Sequence, residues 1–206
     1  SRSSFNKIVV LEDTSLIQLQ LKKLGFYFAK VDAVVEELEN NTVNLIYKIE
    51  LGNKAKIKKI TFIGDKIFKD GKLRSVIVSE EYKFWKFISG RKFLNEDVIK
   101  FDKRLLRNFY LNKGYYNVEI NTSFAKLIND DEFELIYNID PKKKIFFNNL
   151  EINLPDDFNE NNFTDLDTFL LELKGKPYSI SSVDKILNRI DSITIQEEYK
   201  SVKASI

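Results

Sequence analysis

The sequence predicts an α+β protein of tandem β-α-α-β-β modules, each with two helices on a three-stranded mixed sheet. Three observations predict it: an internal repeat, a long one-sided helix inside each repeat, and a pair of alternating strands after that helix. In the repeat, Asn6, Val9 and Leu16 match Asn95, Val98 and Leu105, and Gly25 matches Gly114, 89 residues on. The segment Leu45–Ile49 (LIYKI) then matches Leu135–Ile139 (LIYNI) at a spacing of 90, one residue having entered the hairpin between. A third, weaker copy begins at Tyr178, with Val183, Ile186 and Ile190 in the places of Val98, Phe101 and Leu105. A repeat of this kind is one supersecondary unit used several times.

The complete copy reads in order. Residues 56–63 (KIKKITFI) are rich in Ile, Phe and Thr and alternate imperfectly, as a strand with one buried face does. Gly64–Asp65 ends it with turn chemistry. Residues 70–79 read as a short helix with Leu73, Val76 and Ile77 inward, although Val and Ile weaken helix propensity. Asn95 caps a long helix, with Glu96 and Asp97 in its first turn. Val98, Phe101, Leu105 and Phe109 advance by three or four residues, so the reading turns them inward and leaves Lys103, Arg104 and Arg107 in solvent. Gly114 closes the helix in the left-handed conformation. Residues 115–125 and 132–140 are two strands, joined through the turn signal Asn129–Asp130–Asp131. Counting directions places the first strand parallel to the third and beside it, and leaves the second strand on an edge. The chain thus divides into 1–50, the helix-strand-strand rear of a module; 53–140, a complete module; and 142–206, the front of another. Partial modules leave helix and sheet faces uncovered.

Composition narrows the function. The 206 residues are 43% hydrophobic and 31% charged, with 33 basic and 31 acidic side chains, a net charge of +2. That balance does not point to nucleic acid, and the seven glycines never take the G-x-x-G spacing of an RNA-binding loop. The sequence has no Cys and no His, which removes zinc ligands and Ser–His or Cys–His nucleophiles. No cofactor, metal or catalytic residue is expected, and the chain reads as a non-enzyme. The longest apolar runs fall far short of a membrane span. No charged-then-apolar signal segment opens the sequence, so a secreted protein would be represented by a mature chain or an excised piece.

The β-α-α-β-β repeat resembles the POTRA domain over nearly the whole chain. Glu81–Phe93 (EYKFWKFISGRKF) is similar to the aromatic-bearing insertion of the third module in the barrel-assembly members. ITFIGDKIF, FYLNKGYYNVEI and KGKPYS are similar to the family's I-x-x-G-N-x-x-F, Y-x-x-x-G-Y and G-x-x-Y patterns. Asp65 stands for the usual Asn, and Glu198–Tyr199 for the Gly-Tyr turn of the last copy. The resemblance implies a periplasmic scaffold, the soluble part of a protein embedded in the outer membrane of a Gram-negative bacterium. It implies unfolded outer-membrane proteins and accessory assembly lipoproteins as partners. Barrel transporters of two-partner secretion or organelle protein import are the alternative.

The candidate client site is the edge formed by Tyr116, Asn117, Val118, Glu119, Ile120, Asn121, Thr122 and Ser123. Backbone pairing there tolerates many client sequences; the plainer reading is an ordinary edge shielded by Glu119 and Lys126. The resemblance implies lipoprotein docking near Val78, Ser79 and Glu80, where Ser79 replaces the Arg of well-known members. Trp85, flanked by Phe84 and Phe87, is either a staple for the insertion or an exposed patch joining that docking surface. Lys142–Lys144 read as a solvated linker entering a strand. The pairs Asp130–Asp131, Asp156–Asp157 and Glu197–Glu198 are wet turn or helix-end residues, without the contrasting environments that catalytic carboxylates need.

Overall fold

A computed structural model describes residues 6–39, 41–64, 67–83, 85, 90–126, 129, 131–154 and 158–197. By contacts the chain forms two compact units, Ser1–Arg104 with Asn121–Asn138, and Leu105–Ile120 with Ile139–Ile206.

The first unit begins with α1 (Lys7–Lys23), capped by Asn6, whose side-chain oxygen accepts the Ile8 N–H at 2.9 Å. A hairpin follows, β1 (Lys30–Leu38) antiparallel to β2 (Thr42–Glu50), with Lys30 opposite Glu50 and Leu38 opposite Thr42. Asn41, at φ 54°, makes the turn, as a short polar side chain in the left-handed region can. Ile8, Leu11 and Leu16 of α1 and Leu45, Ile46 and Ile49 of β2 are exposed. Next come β3 (Lys56–Ile63) and α2 (Asp70–Arg74). The helix α3 (Glu96–Leu111) and the strands β4 (Glu119–Lys126) and β5 (Glu132–Asp140) complete the module. The sheet order is β3-β5-β4, with β3 parallel to β5 and one irregularity between Ile57 and Lys59. The connection from β4 to β5 is too short for a parallel crossover. On β5, Phe133, Leu135, Tyr137 and Ile139 are buried in strict alternation, which turns one face of the strand to the helices. Ile57, Ile60 and Phe62 of β3 and Leu73 of α2 are buried with them, and the Phe62 ring stacks on Tyr137 at 5.5 Å.

The second unit carries α4 (Thr164–Leu173) and α5 (Ile180–Gln196). Its core is Phe147, Phe163, Leu166, Leu170, Leu173 and Ile186.

Four expectations are corrected. The short helix ends at Arg74, not residue 79; the β-branched run Val76–Val78 crowds a helical turn, and the chain goes on as turn and bend. The buried stripe of α3 is Ile99, Asp102, Leu106 and Tyr110, while Phe101 is 41% exposed and Val98, Leu105 and Phe109 are half-buried. The second strand starts at Glu119 rather than residue 115, because the helix-closing turn takes Gly114–Val118: Gly114 has φ 93°, and the Tyr115 N–H returns to Tyr110 O at 3.0 Å. The segment after Lys144 forms one isolated bridge, Phe146 to Pro177, and no strand, since a strand needs a neighbour to hold its ladder.

Candidate functional site

The three-stranded sheet has two edges, and they are finished differently. Along β3, the Tyr82 N–H donates to Ile57 O at 2.6 Å and Phe93 bridges to Lys56. Further along, Glu81 and Arg74 reach the backbone of Ile60. Along β4, among the described residues, β5 lies on one side and no strand on the other. Its exposed positions are Glu119, Asn121, Ser123, Phe124 and Ala125, whereas Ile120 is buried and Thr122 half-buried. Short polar side chains at Asn121 and Ser123 leave the backbone approachable.

Each end of β4 is braced. At its start Glu119 meets Lys142 Nζ at 3.3 Å, and Lys142 is also held by Asp140 at 2.6 Å. The hydrogen bonds from Lys142 hold the Asp140 carboxyl below its ordinary value, and those to Asp140 and Glu119 raise the Lys142 ammonium. The lysine run is therefore engaged as well as solvated: Lys144 Nζ lies 5.8 Å from the Tyr115 ring. Toward the other end, Phe124 meets Tyr27 edge-on at 4.9 Å.

A second locus is the segment after α2. Asp102 is fully buried, and its carboxylate accepts the Val78 N–H at 2.6 Å, the Ser79 N–H at 3.2 Å and the Tyr137 hydroxyl at 2.7 Å. Burial, then the charge of Asp102 and the bond to it, hold the Tyr137 phenol well above its ordinary value. A buried carboxylate is tolerable when its lone pairs are satisfied in this way. Asp102 ties residues 78–79 to α3 and β5. Beside them lies a cleft of about 320 Å³, lined in part by Ile60, Arg74, Val78, Glu80, Glu81 and Arg91.

Residues 55–142 match the POTRA family, described as a surface antigen variable number repeat. Over these residues the chain is similar to a POTRA domain. Over 170 residues the chain is 24% identical to the outer membrane protein assembly factor BamA of Buchnera aphidicola, covering 82% of this chain and 27% of that protein. Over 188 residues it is 25% identical to BamA of Neisseria meningitidis serogroup B, covering 91% and 24%. The chain thus spans about a quarter of the length of these curated relatives. A crystal structure of Haemophilus influenzae BamA POTRA3-5 aligns with all of this chain and 76% of that one, at a TM-score of 0.54 and 13% identity. That likeness is one of fold.

The expected site residues separate into groups. Glu119–Ser123 lie on β4, while Tyr116, Asn117 and Val118 precede it in the turn. Tyr116 packs edge-on against Tyr178 at 5.3 Å. Val78 and Glu80 are half-buried, and Glu80 pairs with Arg91 at 3.8 Å. Ser79 is only 4% exposed, so it offers no surface of its own. Trp85 is 59% exposed, with Lys83 Nζ 5.8 Å from its ring. Phe84, Phe87, Asp65, Asp130, Asp156, Asp157, Glu198 and Tyr199 lie outside the described residues, as does the side chain of Lys126. Asp131 pairs with Lys56 at 2.7 Å. Among the described residues no cluster of His, Cys, Asp or Glu could hold a metal, and no helix is long and apolar enough to cross a membrane.

Sequence reasoning missed Asp102, Arg74 and Glu81. For Asp102 a signal existed. The repeat pairs Asp13 with Tyr47 at 3.0 Å as it pairs Asp102 with Tyr137, and both pairs keep the repeat spacing. An acid recurring with a strand tyrosine marks a structural bond.

Proposed function

We propose that this chain is part of the periplasmic scaffold of an outer-membrane protein assembly factor. In this reading its POTRA domain receives extended segments of unfolded outer-membrane proteins along β4. The observation that carries the reading is the asymmetry of the sheet, with β3 covered and β4 open. An arriving segment adds a fourth strand, exchanging water for backbone hydrogen bonds. Such bonds do not depend on the client's side chains, which suits a site serving many clients. The chain supplies no covalent chemistry here: it lowers a folding barrier by holding a strand extended. The similarity to BamA proteins supports the partner class and the compartment.

The surface around Val78, Glu80 and Trp85 is the proposed dock for an accessory lipoprotein. Asp102 holds its backbone in place, and the exposed indole offers a large apolar contact of the kind that dominates interface energetics.

Backbone pairing is tested by competition. A labelled porin-derived strand peptide is titrated with the chain by fluorescence anisotropy, against the same peptide N-methylated at alternate residues. Methylation removes donors and leaves the side chains, so affinity is expected to fall at least about tenfold. Equal affinity for the two peptides contradicts strand addition.

A further inference from the structure

We infer that Arg74 and Glu81 act as a side-chain guard that closes the β3 edge, so that strand addition, in the reading proposed above, is confined to β4. An edge strand offers a row of donors and acceptors to any extended chain, and natural sheets blunt the edges they do not use. Here the blunting is local and chemical. Glu81 Oε1 accepts the Ile60 N–H at 3.0 Å, Arg74 Nη2 donates to Ile60 O at 2.8 Å, and Arg74 Nη1 pairs with the same carboxylate. The two side chains therefore satisfy both backbone groups of Ile60, as a residue of a neighbouring strand would. The start of β3 is closed differently, by backbone, through Tyr82 on Ile57 and Phe93 opposite Lys56. Further along the strand, at Ile60, the ion pair takes the place of backbone.

The guard is ordered by its surroundings. The Arg74 and Glu81 side chains are 38% and 29% exposed, enough to exchange partners but too little to float free. Arg74 closes α2 and Glu81 stands seven residues on, so the pair also spans the Val76–Val78 run that Asp102 anchors. The cleft of about 320 Å³ beside Ile60 is lined by the same two side chains. The charged pair occupies the bonds that an arriving strand would need.

The test uses the whole ¹⁵N-labelled chain, the double variant Arg74→Ala/Glu81→Ala and the control Glu81→Gln, which keeps an acceptor for Ile60. Amide exchange at Ile60 is expected to quicken about tenfold in the double variant, as losing a charge-assisted bond implies. Exchange at buried Leu135 on β5 stays as it was, and Glu81→Gln stays closed. A spin-labelled strand peptide is expected to broaden only β4 resonances in the native chain, and both β4 and Ile60 resonances in the double variant. The guard is overturned if Ile60 stays protected in the double variant, if its exchange quickens with no broadening nearby, or if the peptide broadens Ile60 in the native chain. If β4 never responds while Ile60 responds only in the double variant, the guard stands and the assignment of β4 as receiving edge fails. Should the double variant lose its fold, Glu81→Ala alone reads the same amide.

Discussion

At the scale of single residues, Asp102 holds most. It accepts from two backbone amides and a buried phenol, so Asp102→Ala leaves three donors stranded. We expect it to destabilise the chain by about 3 kcal/mol in urea unfolding. Tyr137 adds a pH dependence. Its folded pKa is raised above the ordinary 10.0. Above that value the unfolded chain gives up the proton while the folded chain keeps it. Stability from this group is full below pH 10 and falls as pH rises, by up to about 1.4 kcal/mol per unit. Urea midpoints measured across that range should fall less steeply in Tyr137→Phe. Trp85, the single Trp of the chain, tests the proposed docking surface directly: if a lipoprotein covers it, its emission is expected to move to the blue. Asp102 was hard to read in the sequence because α3 carries two adjacent stripes of suitable spacing. The purely apolar one, through Phe101, looked like the inner face. The true one contains an acid whose partners lie far along the chain, on β5 and after α2, where no local pattern reaches.

At the scale of elements, boundaries follow backbone chemistry. Gly114 sits at φ 93°, and a Cβ there would come within 2.9 Å of Ile145 O; Gly25, its repeat partner at the same φ, would meet nothing nearer than 3.5 Å. Gly114→Ala should therefore cost more than Gly25→Ala, by about 1–2 kcal/mol when the two are compared by thermal or urea unfolding. The strand order of the complete module was legible, because direction counting from β-α-α-β-β leaves few arrangements. The start of β4 was not. Tyr115–Val118 look like strand residues, but the turn that follows a helix-closing glycine uses them first. The guard on β3 was also hidden, since Arg74 and Glu81 become neighbours only through the course of the segment between them.

At the scale of the molecule, the repeat extends to backbone contacts beyond each helix. Gly25 O accepts the Ala55 N–H at 3.0 Å, and Gly114 O accepts the Ile145 N–H at 2.8 Å. Lys54 lies 5.1 Å from the Phe26 ring, as Lys144 lies near Tyr115. One arrangement of glycine carbonyl, aromatic ring and lysine thus recurs with the repeat, and the sequence pointed to it through Gly25 and Gly114. Among the described residues, the three-stranded sheet leaves β4 with no strand on its outer side. That open edge is the core of the account, and cross-strand nuclear Overhauser contacts test it most directly. With an isotope-labelled strand peptide bound to the intact chain, we expect contacts between peptide amides and the backbone of residues 119–126, and none with residues 56–63. Contacts along β3, or none along β4 at saturating peptide, would contradict it.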